Sequence, residues 1–119
     1  MAHPMGSLFD IPHGVANALL LPTIMEYNKP VSIKKYVEIA KAMDAYKEGM
    51  TKAEAAQAAC DAVRALAIEV GIPQHLSDLG ITAKDIDALA DQAIEDVCTP
   101  GNPRLVTRQD IVELYKKVL

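Results

Sequence analysis

Residues 1–28 read MAHPMGSLFDIPHGVANALLLPTIMEYN, and the run from Val15 to Tyr27 within them decides the fold class. Val15, Ala16, Ala18, Leu19, Leu20, Leu21, Ile24 and Met25 put apolar side chains nearly all the way round a helix, the pattern of a helix surrounded by protein. Pro22 inside the run removes one backbone donor, so it is expected to kink this helix or to mark its last turn. Asn28-Lys29-Pro30 is expected to end it. Ahead of it, residues 1–14 are rich in Gly, Pro and His, carry no helical period, and are expected to be irregular.

Downstream, the punctuation is helical throughout and no strand pattern competes. Ser32 is placed to cap a second helix with Ile33, Tyr36, Val37, Ile39, Ala40 and Met43 at three-four spacing, and Gly49 follows as a stop. Thr51 and Glu54 have the form of a capping box opening a third helix that runs to about Val70. Its expected inward stripe is Ala55, Ala59, Ala62, Val63, Leu66 and Val70, and Gly71-Ile72-Pro73 ends it. Residues 74–81 read as a short turn. Thr82 and Asp85 open a fourth helix with Ile86, Leu89, Ala90, Ala93, Ile94 and Val97 on one face. Thr107 caps a fifth carrying Ile111, Leu114, Tyr115 and Val118, with Lys116 and Lys117 at its negative end. The expectation is an all-α bundle: one helical domain over residues 1–119, with 1–14 irregular and 15–119 in helices. A bundle whose most buried helix comes first, behind an uncapped apolar segment, reads as half of a larger molecule.

Composition narrows the function classes. One hundred and nineteen residues with 50% hydrophobic side chains make one domain with a sizeable core. A net charge of −4 with no Lys/Arg cluster argues against nucleic-acid binding, because phosphate neutralisation needs a cationic face. The longest apolar run falls far below the roughly 20 residues of a membrane span, so no membrane association is expected. There is no CxxC pair and no signal peptide, which makes a reducing cytoplasm the default location. Cys60 and Cys98 are expected to be small buried hydrophobes.

Few residues here carry chemistry. His3 and His13 are separated by Pro4, Gly6 and Pro12, so helix geometry does not bring them together, and no HExxH pair recruits a metal. A metal site needs about three or four protein ligands, and the chain has three imidazoles, one of them the distant His75, expected at the surface. Asp85, Asp87, Asp91, Glu95 and Asp96 read as a solvated helix face. The glycines form no phosphate-cradling GxGxxG after a strand. Ser7, Asp10 and His13 lack the strand-turn-helix elbow of a hydrolase.

The opening stretch, together with VGIPQHLSDLGI (70–81), DIDALADQAIEDVCTPGNPR (85–104) and TRQDIVELYKKVL (107–119), resembles the iron-containing, group III alcohol dehydrogenases along essentially the whole chain. The PHGVANALLLP run with GNPR downstream is the most specific part. The resemblance implies the C-terminal helical domain of an enzyme whose N-terminal dinucleotide-binding domain is absent here. It implies NAD(P)-linked interconversion of alcohol and aldehyde at a divalent iron, sometimes zinc, held by one aspartate and three histidines. The metal is then a Lewis acid acting on the alcohol oxygen. The histidine of the PHG motif, matching His13, is implied as a metal ligand. That of the AHP motif, matching His3, is implied beside substrate and nicotinamide as a catalytic residue without being a standard ligand. The other ligands lie upstream in the family, and His75 matches none of them.

One imidazole holds a ferrous ion poorly against water, so the isolated chain is expected to bind no cofactor stably and to be inactive. The expected partner is the missing nucleotide-binding domain or chain. Two other readings stand beside this one: a small subunit completed in trans by a nucleotide-binding chain, and an acidic helical interaction module without catalysis. Apolar surface around Met5, Leu8, Phe9 and Ile11 is expected to be exposed or covered by self-association, which makes a homo-oligomer the expected state.

Overall fold

A long helical element kinked at Ser32, α2 (His13–Ala42), organises the chain, whose computed structural model describes residues 1–119. Thirty residues at about 1.5 Å each give roughly 45 Å of helix, and the molecule measures 45 × 30 × 20 Å. The break expected around Asn28-Lys29-Pro30 falls at Ser32, where two helical arms meet at a kink. Pro22 lies buried within the first arm, and the backbone leaves helical values only at Ser32 (φ −131°, ψ 16°). The two helices expected on either side of Pro30 are thus the two arms of α2, joined at this kink. α2 packs against α3 (Lys52–Glu69).

The segment expected to be irregular is also helical: α1 spans Ala2–Phe9. Pro4 falls in its first turn, where the missing N–H has no helical acceptor to lose. Ala2, Pro4 and Met5 turn inward, and Asp10 stops the helix in the left-handed conformation (φ 55°), its amide donating to the Gly6 carbonyl. Asp adopts that conformation more readily than most residues. Met5 and Ile11, expected at an exposed surface, are buried, and the apolar exposure left here is Leu8 with half-buried Phe9. Tertiary burial of a short amphipathic turn outweighs a composition that reads as loop.

Two helices and three short 3-10 turns complete the chain. Thr107 and Asp110 close the capping box of α5 (Arg108–Lys117), and the Asp85 carboxylate accepts from the Thr82 amide ahead of α4 (Ile86–Glu95). The turns lie at Leu76–Leu79, Ala83–Asp85 and Thr99–Gly101. There are no strands, and the all-α expectation with five helices holds, with a different division between the first two.

Apolar side chains gather in two clusters. The larger joins α1, the first half of α2, α4 and α5 around Met5, Leu20, Leu76, Leu89, Ile111 and Tyr115. The smaller joins the rest of α2 to α3 through Met25, Tyr36, Ala40, Ala56, Ala59 and Cys60. The buried face of α3 includes the expected Ala55 and Ala59 together with Ala56, Cys60 and Ala67, whereas Leu66 and Val70, also expected inward, are 49% and 63% exposed. Close backbone approach selects the small residues, and the large ones turn outward. Val97, expected to be inward on α4, lies beyond its end and is exposed.

Candidate functional site

The two histidines that helix spacing holds apart are brought together by the chain reversal between α1 and α2. His3 lies in the first turn of α1, and His13 is the first residue of α2. The left-handed turn at Asp10 folds one helix back on the other, so the imidazoles stack with centroids 5.1 Å apart and planes 15° apart. Both rings line a cavity of about 780 Å³. Its apolar wall comes from Ala18, Leu21 and Ile24 of α2, so the side of that helix expected to be covered by protein faces this space instead.

A carboxylate joins them. Asp96 is the first residue beyond α4, where the backbone turns extended (φ −66°, ψ 134°). Its Oδ1 accepts the Cys98 amide at 2.8 Å, and its Oδ2 lies 2.6 Å from His3 Nδ1. The Cys98 amide first, and His3 second, hold the Asp96 carboxyl below the usual carboxylate range. The expectation that Asp96 belongs to a solvated face is therefore corrected: its side chain is 13% exposed, while that of His3 is 52% exposed. Asp87 and Asp91 do sit on an open face, paired with Arg108 at 3.2 and 2.6 Å. The sequence signal that could have singled out Asp96 is its place between the last inward residues of α4 and the turn cluster Thr99–Pro103.

The remaining candidates divide by location. Cys60 is buried against α2, and burial pushes its thiol up, as for an inert core residue. Cys98, expected to be buried in a helix, is exposed in the turn after α4 and lines the cavity. Its Sγ, His3 Nδ1 and an Asp96 oxygen lie within 4.8 Å of one another. His75 is exposed at the start of the 76–79 turn and lines no part of the cavity. The Ser7 hydroxyl donates to Gln92 of α4 at 2.9 Å, tying α1 down.

The far wall explains the GNPR segment. Asn102 and Asn28 exchange amide hydrogen bonds, Arg104 donates to the Tyr27 carbonyl at 2.7 Å and lies 4.2 Å above the Tyr27 ring, and the Tyr27 hydroxyl donates to the Leu105 carbonyl at 2.6 Å. These contacts strap residues 99–107 across α2 and fix the cavity's shape.

A divalent metal is the group the resemblance implies, and the donor set tests it. His13 is an exposed imidazole at the cavity and fits as one ligand. His3 has its Nδ1 engaged by Asp96. His3, Asp96 and Cys98 offer three further donor atoms within 4.8 Å of one another, of which His3 Nδ1 and an Asp96 oxygen are already paired with each other.

Comparison with known proteins adds the following. Residues 1–119 match the model of the Fe-containing alcohol dehydrogenase family, C-terminal. The lactaldehyde reductase of Escherichia coli K12 is 55% identical over 115 residues, 97% of this chain and 30% of that protein. The 1,3-propanediol dehydrogenase of Citrobacter freundii is 39% identical over 117 residues, 98% of this chain and 30% of that protein. The crystal structure of a 1,3-propanediol oxidoreductase superposes with a TM-score of 0.96 at 38% identity, over 99% of this chain and 31% of that one. The chain thus spans about 30% of the length of the relatives it matches. No helix is long and apolar enough to cross a membrane.

Proposed function

This chain belongs to the Fe-containing alcohol dehydrogenase family, matching its C-terminal part, and from that premise we propose that it forms the helical wall of a site for NAD(P)-linked interconversion of an alcohol and its carbonyl compound. His13 is one donor to a divalent iron or zinc, and His3 faces substrate and nicotinamide. The observation that carries this reading is the stacking of the two imidazoles, 5.1 Å apart, at one cavity with an apolar wall. Such a wall suits the carbon chain of a small alcohol, and the imidazoles suit its hydroxyl end.

A bound cation supplies Lewis acidity to the oxygen whose carbon gives up hydride. This chain's residues do the rest of the work assigned to it here. The Asn28–Asn102 strap holds the cavity open, Leu21 and Ile24 exclude water from the carbon chain, and the Asp10 turn presents His13 beside His3. The nicotinamide site and the other metal donors come from a nucleotide-binding domain or chain, which is the partner in this reading. Alone, the chain neither retains the cation nor transfers hydride.

Grafting this chain in place of the matching segment of the E. coli lactaldehyde reductase tests the reading. The graft should oxidise a diol or primary alcohol with NAD. His13→Ala in it should lose bound iron, and His3→Ala should lose turnover while keeping iron. A folded but inactive graft, or iron content indifferent to His13→Ala, would refute the assignment.

A further inference from the structure

The contact between Asp96 and His3 has a direction. Asp96 Oδ1 is taken by the Cys98 amide at 2.8 Å, and Oδ2 is the oxygen 2.6 Å from His3 Nδ1. An ionised carboxylate has no hydrogen to give, so the hydrogen of this short contact resides on the ring nitrogen. The two hydrogen bonds keep that carboxyl ionised at neutral pH. A neutral imidazole has one N–H and one lone pair, and the lone pair then belongs to Nε2.

We infer that Asp96 is a positioning residue, which fixes His3 in the tautomer protonated at Nδ1 and leaves Nε2 as the proton acceptor offered to a hydroxyl-bearing substrate. The inference rests on the reading that His3 faces substrate. Burial supports the order of the pair, because the carboxylate is 13% exposed and sits behind an imidazole that is 52% exposed. Orientation is fixed twice over. Asp96 holds the Nδ1 edge of the ring, and the His13 ring, stacked 15° from parallel, limits rotation about the bond that carries it. In alcohol oxidation the substrate O–H bond breaks, its proton passes to Nε2, and the electron pair stays on oxygen. A bound oxidised nicotinamide would supply the acceptor for the hydride that leaves carbon. The imidazolium that forms is stabilised by Asp96 through a charge-assisted hydrogen bond. In the reverse direction the same proton returns to the carbonyl oxygen as it accepts the hydride equivalent on carbon.

The measurement is two-bond ¹⁵N–¹H correlation of the histidine side chains in the 119-residue chain. It is made with a chelator present, at a pH about two units above the ordinary histidine value of about 6.5. His3 should show a protonated Nδ1 and an acceptor-type Nε2. Asp96→Ala should move it towards the Nε2–H form, with the His75 signals unchanged as a control for folding. His13→Ala should leave the tautomer of His3 as it is. Should Asp96→Ala fail to fold, Asp96→Asn of equal size gives the same reading. An Nε2–H form of His3 in the unaltered chain, or a tautomer indifferent to loss of the carboxylate, overturns the inference. In the grafted reductase, Asp96→Asn should lower kcat by about 10- to 100-fold with little change in KM for the alcohol. Failure of His3→Ala to affect turnover there would remove His3 from the reaction, yet the tautomer result would stand.

Discussion

Asn28 and Asn102, 74 positions apart in sequence, exchange two hydrogen bonds of 2.8 Å each, and Asn28 is buried. The pair pins the turn region after α4 to the middle of α2, and Asn102 also donates to the Arg104 carbonyl at 2.6 Å.

Asn102→Ala leaves a buried amide without its partner, and such a group costs about 1–3 kcal/mol. Urea unfolding should show that loss in the midpoint. Asn102→Asp is expected to cost at least as much, since a carboxylate cannot donate back to Asn28 Oδ1. A midpoint unchanged in both variants would mean that the strap adds nothing to stability.

Met5 tests whether α1 belongs to the core. Its side chain is fully buried against α2 and α4, and truncation of such a residue to alanine costs about 2–5 kcal/mol. Leu8→Ala, at a position 41% exposed on the same helix, should shift stability by about 0.5 kcal/mol or less. Equal effects from both would indicate a frayed N-terminal segment. Thermal melts followed by circular dichroism separate the two outcomes.

Acid should weaken the molecule through Asp110. The Thr107 amide and hydroxyl, with lesser help from Tyr27, hold its carboxyl below the usual range. A carboxyl lowered in the folded state binds its proton more readily when unfolded. Its contribution is therefore complete above the unfolded value of about 3.9 and is lost as pH falls through the folded value beneath it. Wild type and Asp110→Asn should differ in urea midpoint at pH 6 and converge below about pH 4. A gap that persists in acid would assign the effect to shape and not to charge.

The apolar pattern of residues 15–27 and the stripe Ile111, Leu114, Tyr115 and Val118 made the helical class legible, because both are long enough for periodicity to dominate. Residues 2–9 were not legible. Eight residues hold barely two turns, and their helix depends on burial of Met5 by elements far along the chain. The break expected around Pro30 was legible and appears as the kink at Ser32. His3 and His13 were found through resemblance to a motif, while local spacing gave no reason to bring them together. Asp96 escaped because its pairing joins positions 93 apart in sequence. It lies just past the end of α4, where the backbone turns extended, so helical spacing says nothing about its partner.

The division of the apolar side chains into two clusters joined along α2 gives the molecule two units that open separately. Amide hydrogens of α3 should exchange with solvent through a partial opening that leaves those of α4 and α5 protected, because the smaller unit has six buried apolar residues against sixteen in the larger. The half of α2 that carries His13 would then keep its place while the distant arm breathes.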